Sequence, residues 1–226
     1  MTSALDHLSA LAVEQEAFAA LATTADADLP VPACAPWTVA DLVRHLTGIH
    51  RWAAAAARLP PDAAIPDEDD DEAGPPDYAA AAADVRAALA DAARPCPTLA
   101  GPGTAAWWAR RQLHETFVHR LDLAAAVGVP LEADAAVAAD CVAEVVDTMQ
   151  PRQVRLGRMP APAVGVRLTT PTATWVLGAA PVAEVAGPDL AVAQLLWRRT
   201  PLDDPRLTVT GDRAAAGGLL ADRLTP

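Results

Sequence analysis

Lysine is missing from this chain of 226 residues, so all 17 of its basic residues are arginines, set against 29 acids for a net charge of -12. A balance that acidic disfavours a nucleic-acid partner, because phosphate binding needs a concentrated basic surface. Cysteine is scarce. Cys34, Cys96 and Cys141 are odd in number and share no close spacing, which argues against a disulfide framework and a thiolate metal site and suits a reduced, cytoplasmic setting. Long charge-free apolar runs are lacking, so no segment is expected to span a bilayer. The first residues, MTSALDHLSALAVEQEAF, carry acids and a histidine inside their apolar stretch and no basic leader, so no signal peptide is expected either. Abundant alanine without lysine matches a GC-rich coding bias and carries no chemistry.

What is present falls into two textures. From about Ala4 to Thr23, Leu5, Leu8, Leu11, Ala12 and Phe18 recur at helical spacing. Thr38 then stands as an N-cap before VADLVRHLTGIHRWAAAAAR, with Asp41 three residues on as a near capping box. Residues 59–77, dense in acids and prolines, read as a mobile surface loop. A third helix is expected over 78–93, ended by Pro95 and Pro97, and a fourth over 104–127, stopped by Gly128 and Pro130. A fifth, over 133–149, closes this half as an antiparallel bundle with one extra helix. Beyond Pro151 the runs AVGVRLTT, ATWVLG and VAEVAG are short, β-branched and separated by Pro and Gly, which reads as a small antiparallel sheet. Helices near 189–199 and 212–224 and a strand RLTVTG complete an α+β unit. The expected fold class is therefore α+β, with a helical domain over residues 1–151, a second domain over 160–226 and the boundary near 151–162.

The chemistry concentrates on the fourth helix. Within RRQLHETFVHRLD, Glu115 and His119 are four residues apart, about one turn, so both project from one face and offer a carboxylate oxygen and an imidazole nitrogen to one ion. The same spacing also puts Arg111 one turn before Glu115, where a plain intrahelical ion pair would satisfy it. His45, mid-helix among Leu42, Leu46 and Ile49, is the most plausible third ligand, although a lone histidine on such a stripe is more often a core or interface residue. His50 and His114 each sit five residues from a candidate ligand, some 140° around the helix, and so face elsewhere. Asp122, three residues after His119, reads either as the acceptor for that histidine's second ring nitrogen or as a surface partner of a neighbouring arginine. Arg111 and Arg120 could grip substrate carboxylates or be solvated. Cys34 reads as structural, with no base near it in sequence, and Trp37, Trp107 and Trp108 read as core rather than as a substrate wall.

CAPWTVADLVRHLTG together with RRQLHETFVHRLD, and more weakly VAADCVAEVVD, resembles the amino-terminal metal-binding domain of the mycothiol-dependent maleylpyruvate isomerase family, a DinB-like four-helix bundle. LAVAQLLWRRTPLDDPRLTVTGD resembles the family's small carboxy-terminal domain, which is similar to sterol carrier proteins. The resemblance covers nearly the whole chain. It implies a metal triad of His45, Glu115 and His119, the same three that the helix positions allow, and an arginine contributed by the second domain, for which Arg198 or Arg199 in LLWRRT is the candidate.

Three protein ligands leave a position free on a zinc-like ion, as catalytic rather than structural centres do. A thiol placed there loses its proton. The resemblance implies that mycothiol adds to an electrophilic small molecule, giving cis–trans isomerisation or thiol S-transfer. The alternative is a non-catalytic small-molecule-binding or regulatory protein of the same fold. The chain is expected to act as a monomer or weak homodimer, with Arg111 and Arg198 as the arginines nearest the chemistry.

Overall fold

The computed structural model describes residues 5–67 and 77–226, so the centre of the acidic stretch expected as a loop, residues 68–76, lies outside the described residues. The chain forms two compact units, residues 1–132 and 133–226. Among the described residues no helix is long and apolar enough to cross a membrane.

The first unit is a bundle of α1 (His7–Thr24), α2 (Val39–Arg58), α3 (Tyr78–Leu89) and α4 (Ala105–Ala126). The first three starts are capped by a side chain, Asp77 serving α3. Asp6 accepts from the backbone N–H groups of Leu8 and Ser9, and Thr38 and Asp41 complete a reciprocal capping box at α2. Helices α1 and α4 pack together, as do α2 and α3, around Phe18, Leu42, Leu46, Tyr78 and Leu123. Helix α4 buries almost its whole circumference, so its polar residues must find partners inside the bundle. Several do: Arg120 donates to Glu14 and, at 2.8 Å, to the Glu132 carbonyl. His50 holds Gln112 Oε1 at 2.7 Å and Gln15 Nε2 at 3.1 Å.

One element of this unit was not expected. Residues 95–98 and 101–104 pair as a short antiparallel hairpin, β1 (Pro95–Thr98) and β2 (Gly101–Thr104), where the sequence reading saw only prolines ending a helix. Trp108 Nε1–H donates to the Pro97 carbonyl at 2.9 Å and pins the hairpin to the start of α4.

In the second unit α5 (Ala135–Glu144) leads through a π-helical turn, Val145–Met149, into α6 (Gln150–Arg155). The division after Glu132 falls earlier than the expected boundary at 151–162, because α5 packs on α7 (Asp189–Leu196) of the second unit. Nor does the helix stop before Pro151. The wider π turn, in which the Gln150 N–H donates to the Val145 carbonyl, places Pro151 in the first turn of a new α-helical segment, where no N–H is required.

The sheet has the order β4–β3–β5–β6, from β3 (Gly165–Thr169), β4 (Thr174–Gly178), β5 (Pro181–Ala186) and β6 (Thr208–Gly211). Val166, Leu168, Leu177 and Val185 are buried, and α8 (Arg213–Ala221) packs on β3 and β5. The expectation of an all-antiparallel sheet is corrected at one ladder: β3 and β5 run parallel. Parallel neighbours usually need a long crossover, yet here only Ala179 and Ala180 separate β4 from β5. The two residues pass beneath the start of β3, bonded by Gly165 N–H to the Ala180 carbonyl at 2.8 Å. A Cβ on Gly165 would lie 1.9 Å from the Ala179 oxygen, and Gly178 turns the chain at φ +83°. Glycine at both positions is what admits the crossing.

Candidate metal centre

Helix α4 presents Glu115 and His119 one turn apart, and α2 presents His45 to the same point. Glu115 Oε1 lies 3.2 Å from His45 Nε2 and 3.2 Å from His119 Nε2. Its other oxygen, Oε2, accepts from Arg111 at 2.8 Å. Glu115 thus makes the intrahelical ion pair through one oxygen and turns the other toward the two histidines, where a ligand would have to stand. Arg111 and Arg120, read as grips for a substrate carboxylate or as solvated residues, are both buried, Arg111 bonded to Glu115 and Arg120 to Glu14 and the Glu132 carbonyl.

Asp122 lies within reach of His119. It is buried, and its Oδ2 stands 3.0 Å from His119 Nδ1. His50 and His114 are both fully buried, with His50 taken up by Gln15 and Gln112. Arg198 belongs to the second unit. It follows α7, is exposed, and has the one positive φ among the described non-glycine residues, +57°. Together with Leu195, Leu202 and Leu220 it borders a cleft of about 460 Å³ within that unit.

Two residues that the sequence reading set aside also belong to the cluster. Cys34 Sγ lies 3.3 Å from Asp122 Oδ2 and 3.9 Å from His119 Nδ1. The Trp37 ring lies 4.8 Å from that of His45 and 6.4 Å from that of His119. No local signal reveals the Cys34 contacts, since its partners follow 85 and 88 residues later.

Burial alone would raise the Glu115 carboxyl and lower the His119 imidazole. Hydrogen bonds from His119 and His45, with the Arg111 charge, outweigh it and hold Glu115 well below the usual carboxylate range. For His119 the bonds to Asp122, Cys34 and Glu115 win, and it stands well above an ordinary histidine.

The donor set suits a divalent ion. Zinc holds nitrogen and oxygen at about 2.1 Å, which puts neighbouring ligand atoms about 3.4 Å apart in a tetrahedron, close to the 3.2 Å separations found. With side-chain exposures of 16%, 17% and 11% for His45, Glu115 and His119, the cluster is not sealed from solution.

A helical bundle that converges two histidines and a carboxylate on one point, joined to a small α+β unit, defines the class of protein. Residues 8–124 match the family model of the mycothiol maleylpyruvate isomerase N-terminal domain, and residues 136–218 match that of the MDMPI C-terminal domain. The chain belongs to the mycothiol-dependent maleylpyruvate isomerase family. Among solved structures, it is similar to the crystal structure of the mycothiol-dependent maleylpyruvate isomerase, with a TM-score of 0.64 at 15% identity over 91% of this chain and 92% of that one. A histidine-to-alanine mutant of the mycothiol-dependent maleylpyruvate isomerase gives 0.59 at 14% identity, over 84% and 87%. At such identities the likeness is one of fold. No curated protein matches the chain in sequence.

Proposed function

We propose that this protein is a divalent-metal-dependent, mycothiol-using enzyme that adds a thiolate to an electrophilic small molecule, with cis–trans isomerisation or thiol S-transfer as the outcome. The observation that carries the reading is the meeting of His45 Nε2, Glu115 Oε1 and His119 Nε2 at one point that is not sealed from solution. Those three atoms would hold the ion, with zinc favoured by the mixed nitrogen and oxygen set. A bound ion supplies a Lewis acid that keeps a thiol in its thiolate form at neutral pH, and mycothiol supplies that thiol.

The remaining work falls to the chain. Asp122 accepts a hydrogen bond from His119 Nδ1–H and so favours the tautomer in which Nε2 offers its lone pair to the cluster. Arg111 draws Oε2 of Glu115 away from the centre, leaving Oε1 turned toward the two histidines. Arg198, exposed beside the second unit's cleft, is with Arg199 the candidate for the arginine that the second domain would contribute.

The test has two stages. Zinc-loaded protein should retain about one equivalent of metal through desalting, and then convert maleylpyruvate to fumarylpyruvate or form a bimane conjugate from mycothiol and monochlorobimane. Loaded protein that keeps no ion sinks the site. Protein that keeps the ion but turns over none of these substrates favours a binding role.

A further inference from the structure

We infer that the loop from Val31 to Trp37 is an outer clamp on the cluster, with Cys34 and Trp37 as positioning residues that set the ring orientations of His119 and His45. Its consequence for metal affinity rests on the metal reading above; its consequence for the rings does not.

An imidazole turns about a broad, roughly two-fold terminal torsion, so a helix backbone fixes where a histidine starts but not how its ring faces. His119 is held by Asp122. His45 has no such acceptor: among the described residues its ring's one hydrogen-bond partner is Glu115. What lies against it is the Trp37 indole, 4.8 Å away and tilted by 47°. Trp37 therefore supplies to His45, by packing, the constraint that Asp122 supplies to His119 by hydrogen bonding.

Cys34 acts one step further out. Its Sγ–H donates to the same Asp122 oxygen, Oδ2, that accepts from His119. A carboxylate oxygen bonded from two sides has less freedom to swing away from the imidazole. The buried Asp122 is thus fixed by its own helix and by the loop together.

The loop is built to hold these two side chains still. Val31 N–H donates to the Trp37 carbonyl at 2.9 Å, Cys34 N–H to Val31 at 3.0 Å and Trp37 N–H to Cys34 at 3.0 Å. Pro30 and Thr38 bridge its two ends, Val31 is fully buried, and Thr38 is already the N-cap of α2. Seven residues separate Thr38 from His45, two helical turns that return to the same face. The loop is therefore fastened to the start of the helix that carries His45.

The experiment compares full-length wild type with Trp37→Ala, Trp37→Phe, Cys34→Ala and Cys34→Ser. Zinc affinity is read by competition with a chromophoric chelator, and the imidazole nitrogens by NMR of the zinc-free protein. Loss of a group that orients a ligand weakens zinc about 10-fold or more. Trp37→Ala should do so and Trp37→Phe should recover most of it. Cys34→Ala should weaken zinc about threefold, a step less than loss of a direct orienting partner, and Cys34→Ser should restore it. Unchanged affinity in both alanine variants, or rescue by neither conservative one, overturns the clamp. If wild type itself binds no zinc, the metal reading fails and the NMR decides: the clamp stands if the His45 signals shift in Trp37→Ala and the His119 signals in Cys34→Ala, and falls if they stay in place.

Discussion

Replacing Glu115 by glutamine removes one negative charge from between three partners while keeping the side chain's size. The division of its two oxygens makes the result separable from that of Arg111→Gln. The Arg111 and Glu115 side chains are 7% and 17% exposed and 2.8 Å apart, and breaking such a buried pair from either end costs about 3–5 kcal/mol. For a chain of this size each kcal/mol lowers Tm by about 2–4 °C, so both variants should melt about 6–20 °C below wild type when zinc-free at neutral pH. That pH matters. The Glu115 carboxyl is held below its ordinary value, so its contribution is complete above the unfolded pKa and disappears only as pH falls through the lowered one. Zinc separates the pair. Arg111→Gln keeps all three ligand atoms and should still bind one equivalent, weakened about 10-fold by loss of an outer partner. Glu115→Gln removes a ligand and should not retain stoichiometric zinc. Calorimetry of the zinc-free proteins and metal analysis after desalting give both readings. Wild-type zinc affinity in Glu115→Gln, or no loss of stability in Arg111→Gln, refutes the assignment of one oxygen to each task.

Two further expectations concern stability. His50 sits fully buried between Gln112 Oε1 and the Gln15 amide nitrogen, and burial pushes it down to about 4. A histidine lowered on folding stabilises fully above its unfolded pKa of about 6.5 and progressively less below it, by about 2 kcal/mol at pH 5; urea titrations of His50→Gln should be flatter by that amount between pH 7.5 and 5, and identical slopes would count against a neutral buried His50. Arg198 occupies the left-handed position after α7 that glycine prefers, with its N–H donating to Leu195 and that of Arg199 to Gln194. Arg198→Gly should therefore raise stability by about 1 kcal/mol, and a lower melting temperature would mean that the side chain holds something the fold needs.

The first unit was legible because its signals are local. Apolar spacing, the Thr38–Asp41 box and Gly128 place α1, α2 and α4 to within a few residues, and an i, i+4 spacing is enough to bring Glu115 and His119 together. His45 could be nominated because a bundle turns its apolar stripe inward. Features that rest on distant neighbours were not legible. Cys34 lacks a base within reach in sequence and finds Asp122 only after folding. The β1–β2 hairpin sits in CPTLAGPGT, where prolines at a sheet edge read as helix breakers. The grouping of α5 with the second unit depends on α7, more than 40 residues on, and not on anything in its own pattern.

The crossing beneath β3 bears on how the second unit assembles. Parallel ladders ordinarily join distant parts of a chain, and the loop-closure entropy they demand makes them slow to form. Here the partners Gly165 and Pro181 are only 16 positions apart, about the reach of a hairpin with its turn. Strands β3, β4 and β5 can therefore zip as one local event, and the search that remains is for β6, whose pairing with β5 must wait until the chain has come back through α7.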